Sequence, residues 1–353
     1  MIKQFVGMGF FLLACVLLIA YFSNIPLRHI SQLNSYIVIM TYSQDQCKTI
    51  RLNETKKQWV QNWVTLAKDM GFKGVGLAEL ECYYLDGYLE DYLQLLNESG
   101  LKVAIYFMWR DFTIPVSFEL DAERPIDPNF WKPEGFPDNS TKCEAWIDWI
   151  HNVTLITKNY ANVEFYLLYM PFRWIGQYQA NFYNSTGYRY WMQNAVNTIK
   201  EIDARPVLLI SDGIELEDSD LENYIPYDLD GIDGYGFAYY SRTYDNFYAS
   251  RFDEYFNFYQ SKMKQYNHQY FFLAEWGYQT NPESSNLDGS CSSENRKCTL
   301  INQTLNEIYD LGIKNFAYFC LQDFPSENAE WGLAYYDFTL KPSGETMKQR
   351  LTH

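Results

Sequence analysis

Eight short apolar runs recur along the chain, each separated from the next by a polar or amphipathic stretch, and this rhythm constrains the fold more than any other feature. The runs are YIVIM at 36–40, KGVGLAE at 73–79, KVAIYFMW at 102–109, VEFYLLY at 163–169, PVLLIS at 206–211, GIDGYGFA at 231–238, QYFFLAE at 269–275 and KNFAYFC at 314–320. Continuous apolar runs of this length suit strands buried on both faces, as strands of a parallel sheet are. The stretches between them carry helical spacing. Residues 55–70 set Trp59, Trp63, Leu66 and Met70 on one face and stop at Gly71, and residues 86–99 do the same with Leu89, Tyr92, Leu93 and Leu96 before Gly100. Similar spacing predicts helices over 142–158, 187–203, 250–267 and 298–311, and a last one over 342–351. The fifth connection, near 216–224, is short and weakly patterned. Strand–helix alternation of this kind predicts an α/β fold: one (β/α)8 TIM barrel over residues 25–353, with no second domain.

The first 24 residues stand outside that rhythm. Lys3 precedes an uncharged apolar run from Phe5 to Phe22, a length between that of a signal peptide and that of a membrane span. No small-x-small cleavage pattern follows, so the expectation is an uncleaved anchor through the membrane at 5–22, with Lys3 inside and the barrel outside. Two features agree with export. Glycosylation sequons occur at Asn53, Asn97, Asn139, Asn152, Asn184 and Asn302. Beyond the anchor the cysteines are even in number: Cys47, Cys82, Cys143, Cys291, Cys298 and Cys320. Cys291 and Cys298 flank SSENRK, read as a short hydrophilic loop, and form the expected disulfide. No CxxC pair or nearby histidine supports a zinc site, and no cofactor is implied. The expected location is extracellular, membrane-anchored or secreted.

A net charge of −16 with no basic cluster argues against a nucleic-acid partner, since neutralising phosphates needs a cationic face. Chemistry enters at YFFLAEWGYQT, residues 270–280, where a run fit for a buried strand leads into Glu275. An ionised carboxylate loses its water there and needs a compensating environment. In a TIM barrel the active site is built at the C-terminal ends of the strands, so Glu275 is expected at the mouth rather than within the packing layers. The structural alternative is an acid paired with an arginine at the rim.

The last third of the chain resembles the clan A glycoside hydrolases, TIM-barrel retaining glycosidases that include many cellulases and β-galactosidases. FLAEWGYQT resembles their seventh-strand nucleophile segment, GIDGYGFAYY their sixth strand, and WGLAYYDFTLKPSGETMKQ the segment after strand eight. The resemblance implies that Glu275 is a nucleophile forming a glycosyl-enzyme, with Tyr235 or Tyr239 hydrogen-bonded to it. It also implies an Asn-Glu-Pro ending strand four, whose glutamate protonates the leaving oxygen. Here Tyr169, Met170 and Pro171 occupy those places, and a thioether donates no proton.

Other strand ends offer acids: Glu79 and Glu81 after strand two, Asp111 after strand three, Asp212 at strand five and Asp323 at strand eight. Glu81 and Asp212 are the first candidates, although each of these acids also reads as a structural hydrogen-bonding group or loop cap. Of the 18% aromatic residues much must be core, but some fall in loops, where sugar rings can stack on them. Trp109, Trp174, Trp276, Tyr239 and Trp331 fall at or just after strand ends, where they either stack on sugar rings or pack beneath loops. The irregular 110–140 segment would wall the cleft. Three readings follow: an exported retaining glycosidase with a relocated acid, a carbohydrate-binding pseudoenzyme, and a cell-surface interaction protein. Each of the first two takes a carbohydrate as its partner, and the oligomeric state is not legible.

Overall fold

Eight parallel strands close on themselves in sequence order. They are β1 (Asn34–Ile39), β2 (Gly74–Leu77), β3 (Lys102–Met108), β4 (Val163–Tyr169), β5 (Val207–Gly213), β6 (Gly234–Tyr239), β7 (Tyr270–Trp276) and β8 (Asn315–Tyr318). Closure is made by β8 against β1, with Asn34 opposite Asn315 and Ile37 opposite Tyr318. The computed structural model describes residues 30–39, 54–78, 87–108, 140–169, 186–213, 227–240, 247, 249–280, 290–323 and 330–353. The weak connection at 216–224 lies outside them, as does the apolar run at 5–22. Among the described residues no helix is long and apolar enough to cross a membrane.

Seven helices cover the barrel among the described residues: α1 (Glu54–Asp69), α2 (Leu89–Ser99), α3 (Ser140–Thr157), α4 (Thr186–Ile202), α5 (Ala249–Tyr266), α6 (Glu294–Asp310) and α7 (Pro342–Thr352). In α2, Leu89, Tyr92, Leu93 and Leu96 are buried, the stripe that their spacing predicts. The helix ends at Gly100, whose φ of 75° is left-handed and lets its N–H reach the carbonyls of Asn97 and Leu96. α7 opens with Pro342, where the missing N–H costs nothing.

Alternation along the strands sorts the core into two layers. Tyr36, Ala104, Phe165, Leu167, Leu208 and Phe272 fill the barrel interior. Ile37, Val103, Tyr166, Leu209, Phe237 and Phe316 face the helices in a larger outer layer. Inside, the Phe272 ring packs against Tyr36 at 5.1 Å and Phe165 at 5.5 Å, so the barrel is plugged below its mouth.

The expected Cys291–Cys298 disulfide does not form; Cys298 carries a thiol, as does Cys320. The segment between Cys291 and Cys298 is not a loop. Ser293 caps α6 by accepting the Arg296 N–H at 3.3 Å, so Cys298 rides on the helix. The Cys291 thiol instead donates to the Gln279 carbonyl at 3.3 Å, across a short strand pair (Gln279–Thr280 with Ser290–Cys291) outside the barrel. Helix α6 therefore starts four residues earlier than the predicted 298. Cys47, Cys82 and the side chain of Cys143 lie outside what the structure describes.

Candidate active site at the barrel mouth

A break in the regularity of β7 decides where Glu275 points. Phe271 and Leu273 belong to the outer layer, and Phe272 and Ala274 to the interior. Strict alternation would send residue 275 outward and Trp276 inward. Register against both neighbours shows that it does not continue. On β6, Phe237 pairs with Leu273 and the next residue, Ala238, with Glu275; on β8, Phe316 pairs with Leu273 and Tyr318 with Trp276. β7 thus carries one extra residue, a bulge that resets the phase. Trp276 goes outward onto Tyr318, with ring centroids 4.8 Å apart, and the Glu275 carboxylate goes to the interior side.

There it meets tyrosines. Tyr240, the residue after β6, donates its hydroxyl to Glu275 Oε2 at 2.9 Å, and the Tyr169 hydroxyl from the end of β4 makes a longer contact at 3.5 Å. A third tyrosine, Tyr106 of β3, donates to the carbonyl of Ala274 and so pins the bulge itself. Burial, and then the negative charge of Glu275, push the Tyr106 phenol well above its ordinary 10.0, which keeps it a donor. Glu275 is 5% exposed, and hydroxyl donors stand in for the water it has lost. Tyr240 is itself held edge-on by Trp331 at 5.2 Å and Phe319 at 6.1 Å.

The backbone at Trp331 is met by a group of charges built around two fully buried lysines. The Lys297 ammonium, fully buried, donates to the carbonyls of Glu330 (3.1 Å), Trp331 (3.1 Å) and Gly332 (2.8 Å). Burial pushes Lys297 below its ordinary 10.5, and the carboxylate of Glu294, 3.5 Å away, opposes that fall. Lys341 pairs with Asp323 at 2.6 Å and Glu330 at 3.2 Å. Asp323 also accepts the Gly332 N–H at 2.8 Å, which makes it a support of this loop.

Several expected site residues fall elsewhere. Tyr235 and Tyr239 occupy the outward phase of β6. Tyr235 donates to the Tyr227 carbonyl, and Tyr239 packs on Phe252 at 5.0 Å. The expectation that one of them bonds Glu275, or that either contacts a ligand at the mouth, is therefore corrected in favour of Tyr240. The signal was present in the sequence: Gly234, Gly236 and Ala238 mark the crowded inward phase, and the next inward position is 240. Trp276, expected as a sugar platform, is likewise an outer-layer residue because of the bulge. Trp331 sits in the interior cluster beside Tyr240. Asp212 pairs in register with Ala238, which pairs with Glu275, so 212 and 275 share one row across β5, β6 and β7. Glu79, Glu81, Trp109, Asp111, Met170 and Trp174 lie outside the described residues.

Fold and mouth define a class: a (β/α)8 barrel with a strand-seven carboxylate held by tyrosines at its C-terminal end. Solved structures that share this fold include glycoside hydrolases. A β-galactosidase from Halorubrum lacusprofundi matches with a TM-score of 0.64 at 12% identity, over 90% of this chain and 57% of that one. A GH2 β-galacturonidase from Eisenbergiella tayi, bound to galacturonate, matches at 0.61 with 14% identity, over 91% of this chain and 50% of that one. A GH113 β-1,4-mannanase matches at 0.58 with 13% identity, and the match spans 90% of this chain and 98% of the mannanase. The chain thus spans about half the length of the first two and nearly all of the third. No protein-family model and no curated protein matches the sequence.

Proposed function

We propose that this protein is a retaining O-glycosidase acting on a poly- or oligosaccharide outside the cell, with Glu275 as its nucleophile. The observation that carries the reading is the bulge in β7, which turns a buried carboxylate to the interior of the mouth and sets it on the Tyr240 hydroxyl. A carboxylate held by hydroxyl donors in a site with little water is a nucleophile for an anomeric carbon. Attack forms a glycosyl-enzyme at Glu275 while a second carboxyl group protonates the leaving oxygen; that same group then activates the hydrolytic water. The candidates for this second role are Glu79, Glu81, Asp111 and Asp212, and the shared register row of Asp212 and Glu275 favours Asp212. The glycoside hydrolase fold of the solved neighbours agrees with a carbohydrate substrate.

A panel of 2-deoxy-2-fluoroglycosyl fluorides tests this directly. Intact-mass and peptide mapping should place a single glycosyl label on Glu275, and Glu275→Gln should abolish both labelling and turnover. Among Glu79→Gln, Glu81→Gln, Asp111→Asn and Asp212→Asn, one should slow turnover by about 10²–10⁴-fold. Absence of any label, with none of the four variants altering turnover, would leave the sugar-binding pseudoenzyme that Met170 suggests.

A further inference from the structure

The proposed nucleophile is linked through two side chains to a buried cation that has no part in the chemistry above. Lys297, four residues into α6, donates to three consecutive carbonyls, those of Glu330, Trp331 and Gly332. Three successive carbonyls do not ordinarily converge on one point. A buried ammonium, with one donor for each, holds them in that arrangement. The residue at the centre of the three is Trp331, and its ring lies edge-on against Tyr240 at 5.2 Å and Phe319 at 5.6 Å. Tyr240 in turn donates to Glu275 at 2.9 Å. The 330–332 backbone is tied down at two further points: the Thr280 N–H donates to the Glu330 carbonyl at 3.2 Å, and Asp323 accepts the Gly332 N–H.

We propose that Lys297 is a positioning residue for Glu275, acting through the 330–332 backbone, the Trp331 ring and the Tyr240 hydroxyl. Burying an ammonium is unfavourable unless it is well paired, and an apolar helix face would stabilise α6 as well. A fully buried lysine whose three donors all meet one loop is suited to fixing that loop's shape. Tyr240 lies one residue beyond the end of β6, past the last rung of the ladder. The rings packed on it therefore set its angle. The inference rests on the proposed role of Glu275.

The test compares Lys297→Met, Lys297→Arg and Arg350→Met in the full chain, with labelling of Glu275 by a 2-deoxy-2-fluoroglycosyl fluoride as readout. Arg350 is also buried but ties α7 to Asn302 and Asn306 of α6, so its loss reports general loosening. Lys297→Met should lower the maximal labelling rate by roughly ten-fold, the scale of one misdirected hydrogen bond to a charged group, without raising the half-saturating concentration. Lys297→Arg should restore part of the rate, and Arg350→Met should lower Tm with the rate unchanged. A folded Lys297→Met protein that labels at the wild-type rate overturns the proposal, as does an equal rate loss in Arg350→Met. If Lys297→Met does not fold, Trp331→Leu takes its place: a slowed label supports positioning, and a wild-type rate overturns it. If the wild type takes no label, the glycosidase reading falls by itself. The Tyr240–Glu275 distance in a crystal structure of Lys297→Met, or of Trp331→Leu, then decides: lengthening supports positioning, and an unchanged 2.9 Å overturns it.

Discussion

Among single residues, the sharpest contrast lies between neighbours at the end of β6. Tyr240 and Tyr239 are adjacent tyrosines, yet one donates to the interior carboxylate and the other packs under α5 on Phe252 and Tyr255. Tyr240→Phe removes one hydroxyl from a buried carboxylate and leaves the ring packing in place. The rate of labelling by the same fluoroglycoside should fall by roughly ten-fold or more, with little change in Tm. Tyr235→Phe should behave in the opposite way. Its hydroxyl donates to the Tyr227 carbonyl, so its loss should cost about 1 kcal/mol in urea unfolding and leave labelling untouched.

At the level of elements, the strands position the site through steric fit as much as hydrogen bonding. Gly76 on β2 faces the Tyr106 ring, and a Cβ there would lie 2.7 Å from it. Tyr106 holds the Ala274 carbonyl within the β7 bulge, so pressure at Gly76 passes to Glu275. Gly76→Ala should therefore destabilise by about 1–3 kcal/mol and also slow labelling, both read on one preparation. A second element-level prediction concerns the turn between α5 and β7. His268 there packs on the Tyr235 ring at 5.0 Å, and burial holds its imidazole below the ordinary 6.5 although Asp233 pulls the other way. The fold resists protonating this histidine, so below about pH 6.5 the unfolded chain binds the proton more readily. Stability against urea should be full above that pH and decline as the solution is acidified through it. His268→Gln should flatten that part of the profile; an unchanged slope would place the sensitivity elsewhere.

At the scale of the whole molecule, the prediction concerns compartment. The proposed export through residues 5–22 predicts that the full chain, made in secretory cells, partitions with membranes and loses mass on enzymatic removal of N-glycans. Asn97 and Asn152 lie exposed on α2 and α3 and should carry glycans. Asn302, half-buried with its side-chain oxygen accepting Arg350 at 2.9 Å, should stay bare. A chain found wholly soluble, with no change in mass, would remove the export reading and leave the barrel chemistry standing.

Much of this architecture was legible beforehand. Burial on both faces writes a parallel strand as an unbroken apolar run, and one-sided burial writes a helix as a stripe. The eight runs and seven helical stretches, taken in chain order, match β1–β8 and α1–α7 within a few residues. Glu275 stood out because a carboxylate at the end of such a run is costly to bury. Which way it and Trp276 face was not legible, for one physical reason: facing depends on register against neighbouring strands, and a bulge is visible only when both neighbours are in place. That one extra residue in β7 sent Trp276 outward and Glu275 inward. Likewise the cap at Ser293 turned an expected loop between two cysteines into the first turn of α6. Local pattern determined the elements and their order; contacts between elements distant in sequence decided which atoms meet at the mouth.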